Sequence, residues 1–169
     1  PAIDQELMVA AGMTEIVAGE GFPSDPGNML RTTAWRNVYL YGQWRKQLSE
    51  SDEIKLSANF DEEVFDDAFP YGLDPSITIS VTGRGRRGNL ELQHQLGITP
   101  QLRMVWGAGY KYEEARSMPL YASTEALSVH ESRLFGNFEW RPHPSWLFNA
   151  GGFVGRHAEK GSYFSPRLM

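Results

Sequence analysis

Arg133-Leu-Phe-Gly-Asn-Phe-Glu-Trp-Arg-Pro-His-Pro-Ser-Trp-Leu-Phe-Asn-Ala-Gly-Gly-Phe-Val-Gly-Arg156, followed by Tyr163-Phe-Ser-Pro-Arg167, is the stretch from which the fold reads. Leu134, Gly136, Phe138 and Trp140 alternate with Arg133, Asn137, Glu139 and Arg141, the period of two that a strand gives. Pro142-His-Pro-Ser145 can continue neither helix nor ladder, so the chain turns there. Trp146, Phe148, Ala150, Gly152 and Val154 form the apolar face of the return strand. Trp140 and Trp146 flank the turn on that face. Paired indoles at the end of an apolar band suit a membrane–water interface.

The same rhythm runs outward from this hairpin. Residues 6–16 alternate loosely, with Leu7, Val9, Ala11 and Met13 on one face. In 31–48, Val38, Leu40 and Trp44 oppose Asn37, Tyr39, Tyr41, Gln43 and Arg45. Ser49-Glu-Ser-Asp52 is a short turn, after which Ile54, Leu56, Ala58 and Phe60 alternate with Lys55, Ser57, Asn59 and Asp61. In 89–96, Leu90, Leu92 and Leu96 oppose Glu91, Gln93 and Gln95. Gly97-Ile-Thr-Pro100 is the next short turn, and Leu102, Met104, Trp106, Ala108, Tyr110 and Tyr112 follow on one face. The segments 18–30, 61–88, 113–129 and 156–163 read as long loops, with a short strand possible over 77–81. Short turns therefore alternate with long loops. An up-and-down antiparallel sheet gathers each kind at one end, as outer-membrane barrels do. Trp44, Trp140 and Trp146 fall near short turns and Tyr110 and Tyr112 near loops, all on the apolar face: two interfacial belts.

Glu139-Trp-Arg-Pro142, a short turn, a Gly-rich strand and then Phe164-Ser-Pro-Arg167 resemble the barrel of TonB-dependent outer-membrane receptors, and the hairpin rhythm extends the resemblance over most of the chain. It implies a bacterial outer-membrane location and a barrel of about 22 strands around a plug that nothing here resembles. It further implies import of a scarce solute such as a ferric siderophore, haem or cobalamin. The partners it implies are outer-membrane lipid and lipopolysaccharide, a metal chelate or similar small solute, and a plug and TonB engaged through other parts of the protein. The expected fold is thus all-β: an antiparallel up-and-down meander over 1–169, an arc of a transmembrane β-barrel with about seven strands and the start of an eighth. Because the chain begins at Pro1 without a Met and stops as a strand begins, a fragment is expected. Two alternatives stand: a small outer-membrane porin or adhesin, and a soluble lipocalin-like barrel with Leu90, Leu92, Trp106 and Phe138 around an apolar ligand.

Composition bounds the rest. With 169 residues, 17 Gly, 12% aromatics and a net charge of -5, a turn-rich β protein is expected and wholesale nucleic-acid binding is not. There is no Cys, which excludes disulfides and thiolate metal sites. Mean hydropathy is -0.43, and no apolar run approaches a spanning helix, but barrel strands average out as polar. Gly83-Arg-Gly-Arg-Arg-Gly88 spells a dinucleotide fingerprint, yet period two follows it where a helix is required; it reads as a basic loop whose Arg84, Arg86 and Arg87 could meet anions. Asp61, Glu62, Glu63, Asp66 and Asp67 lack the spacing of a calcium loop. His94, His130, His143 and His157 are not paired as metal ligands. No nucleophile–base constellation appears, so neither an enzyme nor a cofactor is expected. Candidate ligand contacts are Tyr39, Tyr41, Arg84, Arg86, Arg87, His130 and His157.

Overall fold

Eight antiparallel strands follow one another in chain order across a single sheet. The computed structural model describes residues 4–25, 27–71 and 74–168; Pro26, Gly72, Leu73 and the ends of the expected domain at Pro1 and Met169 lie outside it. The strands are β1 (Gln5–Glu20), β2 (Arg31–Ser49), β3 (Asp52–Tyr71), β4 (Asp74–Thr99), β5 (Leu102–Arg116), β6 (Leu127–His143), β7 (Trp146–His157) and β8 (Gly161–Leu168). One helical turn, α1 (Met118–Tyr121), interrupts the β5–β6 connection, with Ser117 as its N-cap and Pro119 in its first turn. Among the described residues β1 pairs only with β2 and β8 only with β7, so the sheet is open at both ends.

The register confirms the two faces. Leu7, Trp44, Leu56, Leu92, Ala108, Leu134, Val154 and Phe164 form one continuous row across all eight strands. The adjacent row on the other face carries Gln43, Ser57, Glu91, Gly109 and Arg133. The β6–β7 hairpin absorbs its two prolines by a register shift between Trp140 and His143.

Two segments expected as loops are strand. The segment 61–88 is the far half of a β3–β4 ribbon, paired from Asp61↔Arg87 to Tyr71↔Asp74. Its acidic start and basic end, read separately as solvated runs, are complementary across the ladder: Arg86 Nε lies 2.7 Å from Glu62 Oε2. The segment 156–163 is also no long loop. β7 runs to His157 and β8 starts at Gly161, whose φ of 78° closes the connection. The last strand is a paired strand of 8 residues rather than a mere beginning.

There is no core. No hydrophobic side chain among the described residues is buried, as a single layer dictates. Burial is also inverted relative to a water-soluble protein. On β3 the polar positions Lys55, Ser57 and Asn59 are half-buried, whereas Leu56 and Phe60 on the apolar face are 38% and 44% exposed. The hollows lined by Ser57, Asn59 and Glu91 and by Asp61, Glu63 and Arg87 open on the polar side, the concave one.

Candidate functional site

The concave face is built from strand positions whose partners are often glycine. Gly109 stands between Glu91 and Arg133 in one row. Having no side chain there lets Arg133 Nη2 reach over β5 to Glu91 Oε2 at 2.5 Å. Tyr163 likewise lies across Gly155, its cross-strand partner, and donates its hydroxyl to Glu131 on β6. Phe135 covers Gly107 and Tyr39 covers Gly12 in the same way. Side chains on this face thus lie along the wall. Between them Ser57, Asn59, Asn89, Lys111 and Glu131 line a polar hollow of about 240 Å³.

Toward the loop end the concave face turns aromatic. Trp35 and Phe65 are cross-strand partners with ring centroids 4.3 Å apart. With Leu120 and Tyr121 of α1 they wall a hollow of about 300 Å³ floored by Gly83, Gly85 and Ala115. Beyond it Arg31 grips Asp67 through bonds of 2.7 and 3.1 Å and sits 5.1 Å from the Phe69 ring centre. That carboxylate raises the Arg31 pKa, chiefly through the hydrogen bond.

The candidate residues divide between the faces. Tyr39 and Arg87 share a concave-face row with Asp61 and Glu113; Arg87 Nε bonds Glu113 Oε1 at 2.9 Å. Tyr41 and His157 share the next row, with Asn59, Asn89, Lys111 and Glu131. The Tyr41 hydroxyl donates to Gln43 Oε1 at 2.9 Å. His157 Nδ1 accepts the backbone N–H groups of Glu159 and Lys160 at 3.2 and 3.3 Å, which holds the β7–β8 turn. Arg84, Arg86 and His130 lie on the convex face instead. His130 stacks on its cross-strand partner Tyr112 with the ring planes 10° apart. Among the described residues no group of His, Cys, Asp or Glu is placed to hold a metal ion.

Trp44, Tyr110, Tyr112, Trp140 and Trp146 are all on the convex face, by register and alternation. Just outside the tyrosines this face switches to charge, with Arg36, Glu62, Arg86 and Glu114 on the successive strands β2 to β5. The apolar band so bounded is 11 residues tall on β5, from Leu102 to Tyr112. This boundary is not local in sequence: Arg84 and Arg86 join it because acidic 61–67 pairs with the segment that ends in basic 84–87.

At this level of the sheet hydrogen bonds and ion pairs depress the carboxyl pKa values. Arg86 holds Glu62 down by a hydrogen bond; Lys111 acts first on Glu113 and the Tyr112 hydroxyl first on Glu114. Groups with depressed folded values stabilise the fold above the unfolded carboxylate range and lose that contribution as pH falls through their folded values. The outer β3–β4 ribbon is therefore expected to exchange its amides faster below about pH 4, before the apolar band does, in hydrogen-exchange measurements across an acid series. Equal acceleration in both regions would contradict this.

No protein-family model matches the chain, and no curated protein matches it. Among solved structures, it is similar to Ail, the attachment invasion locus protein of Yersinia pestis. One Ail structure, in complex with the heparin analogue sucrose octasulfate, aligns over 98% of this chain and 97% of its own, at 9% identity and a TM-score of 0.33. A second aligns over 97% and 95%, at 11% identity and a TM-score of 0.27. The eight-stranded antiparallel order stands on this chain's own strand pairing.

Proposed function

We propose that the chain is part of the wall of a β-barrel in a bacterial outer membrane, and more finely a segment of a receptor barrel that takes up a scarce solute. The observation that carries the membrane reading is the inverted burial: apolar side chains project from the convex face while Ser57 and Asn59 are sheltered on the concave one. Water does not tolerate so continuous an apolar surface, and lipid requires it. The soluble lipocalin-like alternative needs Leu90, Trp106 and Phe138 inside a cavity; they are 50%, 37% and 45% exposed on the convex side.

The receptor reading rests on the resemblance at Glu139–Pro142 and Phe164–Arg167 and on the open sheet. Unpaired strand edges in lipid cost several kcal/mol per group, so β1 and β8 must each be paired in the membrane, with further strands in the receptor reading. Solute would bind at the loop end of the concave face, where Trp35, Phe65 and Tyr121 frame an aromatic hollow above polar Tyr39, Tyr41 and Arg87. The wall does no covalent chemistry in this reading. The second reading, a small outer-membrane barrel of adhesin or porin type, is favoured by the strand count: eight is the number of the smallest such barrels, reached if β1 closes on β8.

Sequencing the gene on both sides of Pro1 and Met169 separates the two. A plug-like domain and a dozen or so further alternating strands support the receptor. A secretory leader directly before Pro1 and a stop codon soon after Met169 support the small barrel. For the membrane reading itself, the chain in detergent-free buffer is expected to aggregate through its edges and apolar face, as read by light scattering. A monodisperse, cooperatively unfolding monomer would overturn it.

A further inference from the structure

We propose that the aromatic hollow at the loop end of the concave face binds an organic cation: a quaternary or alkylated ammonium group carried on a small apolar body. The inference rests on the reading of that end as the solute site and names the class of solute. Trp35 and Phe65, with ring centroids 4.3 Å apart, wall one side of the hollow, and Leu120 and Tyr121 of α1 wall the other. Aromatic rings offer a cation the negative faces of their π-systems, and the attraction grows where water is excluded. The floor keeps the space open. Gly83 is the cross-strand partner of Phe65, and in the next row Glu63 is followed by Gly85 on β4 and Ala115 on β5. A Cβ added at Gly85 would meet nothing within 4 Å, so no side chain of the wall fills this trough.

Charge decides what the hollow takes. Glu63 lies at its lower edge, exposed, and among the described residues it has neither an ion-pair nor a hydrogen-bond partner. The row below carries Asp61, Arg87 and Glu113. Arg87 Nε bonds Glu113 Oε1 at 2.9 Å, Lys111 Nζ lies 2.9 Å from the same oxygen, and Asp61 Oδ2 accepts from the Asn59 amide at 2.9 Å. Three carboxylates therefore face two cations on this part of the concave side. Arg84 and Arg116 also border the hollow, but their positions belong to the convex face, where Glu62 and Glu114 stand 4.0 and 3.0 Å from them. Aromatic walls alone would serve a neutral sugar equally well; an unanswered carboxylate beneath them favours a cation. A bare divalent metal does not fit, because it needs several oxygen donors and among the described residues no group of His, Cys, Asp or Glu is placed to hold one. An alkylated ammonium uses the rings and the carboxylate together.

The test holds the full chain in maltoside micelles and follows the Trp35 indole N–H resonance by NMR, assigned with Trp35→Phe. The titrants are choline and its uncharged carbon isostere, dimethylbutanol. Choline is expected to shift the resonance saturably, and dimethylbutanol to bind about tenfold more weakly. Glu63→Gln is expected to weaken choline binding about fivefold and Phe65→Leu about tenfold, with the backbone amide spectrum otherwise unchanged. Equal affinity for the two probes, or choline binding that Glu63→Gln leaves untouched, overturns the cation and leaves an apolar solute site. No shift with either probe overturns the proposal outright. Quenching of the convex-face Trp44, Trp140 and Trp146 by a brominated detergent reads the membrane wall separately. A quenched chain that ignores choline refutes this inference alone; an unquenched chain removes the membrane reading, and this proposal with it.

Discussion

Leu92→Arg is expected to destabilise the sheet in a bilayer by about 2–4 kcal/mol, and Gln93→Arg, one residue away, by almost nothing. Leu92 sits in the row Leu56–Leu92–Ala108–Leu134–Val154, with Leu90 and His94 to either side of it on β4. That places it within the apolar band, where a guanidinium must either give up its hydration or drag water into lipid. Gln93 belongs to the concave face beside Lys55 and Gly107, where water hydrates a guanidinium and the like charge of Lys55 opposite costs only about a few tenths of a kcal/mol. Urea titrations of each variant in phosphatidylcholine vesicles, followed by tryptophan fluorescence, measure the difference. A soluble barrel with an apolar cavity would also suffer from Leu92→Arg, so the vesicle dependence decides. The penalty should fall toward zero as the arginine is moved from position 92 to the rim at position 88, because charge already belongs there at Arg86. A penalty that is flat along the strand contradicts a bilayer.

The parts of this arrangement that were legible in the sequence are those governed by alternation. Leu134 to Trp140, Ile54 to Phe60 and Leu102 to Tyr112 each carry a two-residue period, and the pairing that the period implies is the pairing found. The shared face of Trp44, Tyr110, Tyr112, Trp140 and Trp146 followed because a residue's face is a local quantity. What was not legible depended on partners distant in sequence. Glu62 and Arg86 look like members of two like-charged runs until β3 lies against β4 and each supplies what the other lacks. The bonds that His157 accepts from the backbone of Glu159 and Lys160 exist only once the turn closes at Gly161, and nothing local says that the His130 ring lies flat on Tyr112. The aromatic hollow at Trp35, Phe65 and Tyr121 needs three separate elements to meet, and no window of sequence contains it.

The glycines of the concave face carry the second large expectation. Gly107→Val should cost about 1–3 kcal/mol, more than strand propensity alone would return in favour of valine. A Cβ at position 107 would meet the Phe135 ring and, 2.5 Å away, the backbone carbonyl oxygen of Leu92. The ring can swing off the wall; the carbonyl belongs to the β4–β5 ladder and cannot move without loosening it. These two obstacles can be separated. Phe135→Ala removes the ring alone and should be mild, since Phe135 covers a glycine and is not enclosed in a core. In the Phe135→Ala background, Gly107→Val should still cost most of its full amount if the backbone contact dominates, and little if the ring does. The geometry favours the backbone, because an aromatic ring on an open face has a free rotamer and a paired carbonyl has none. A double-mutant cycle by urea titration in vesicles gives the coupling directly. Gly109→Val is the comparison: there the ideal Cβ meets Arg133 side-chain atoms, the nearest at 2.9 Å, and no backbone. It should break the Arg133–Glu91 bridge and leave the ladder intact, with a smaller loss that shrinks further when Glu91 is also changed to Gln. If Gly107→Val and Gly109→Val prove equally costly, the concave face is limited by side-chain crowding, and the distinction between the two glycines falls.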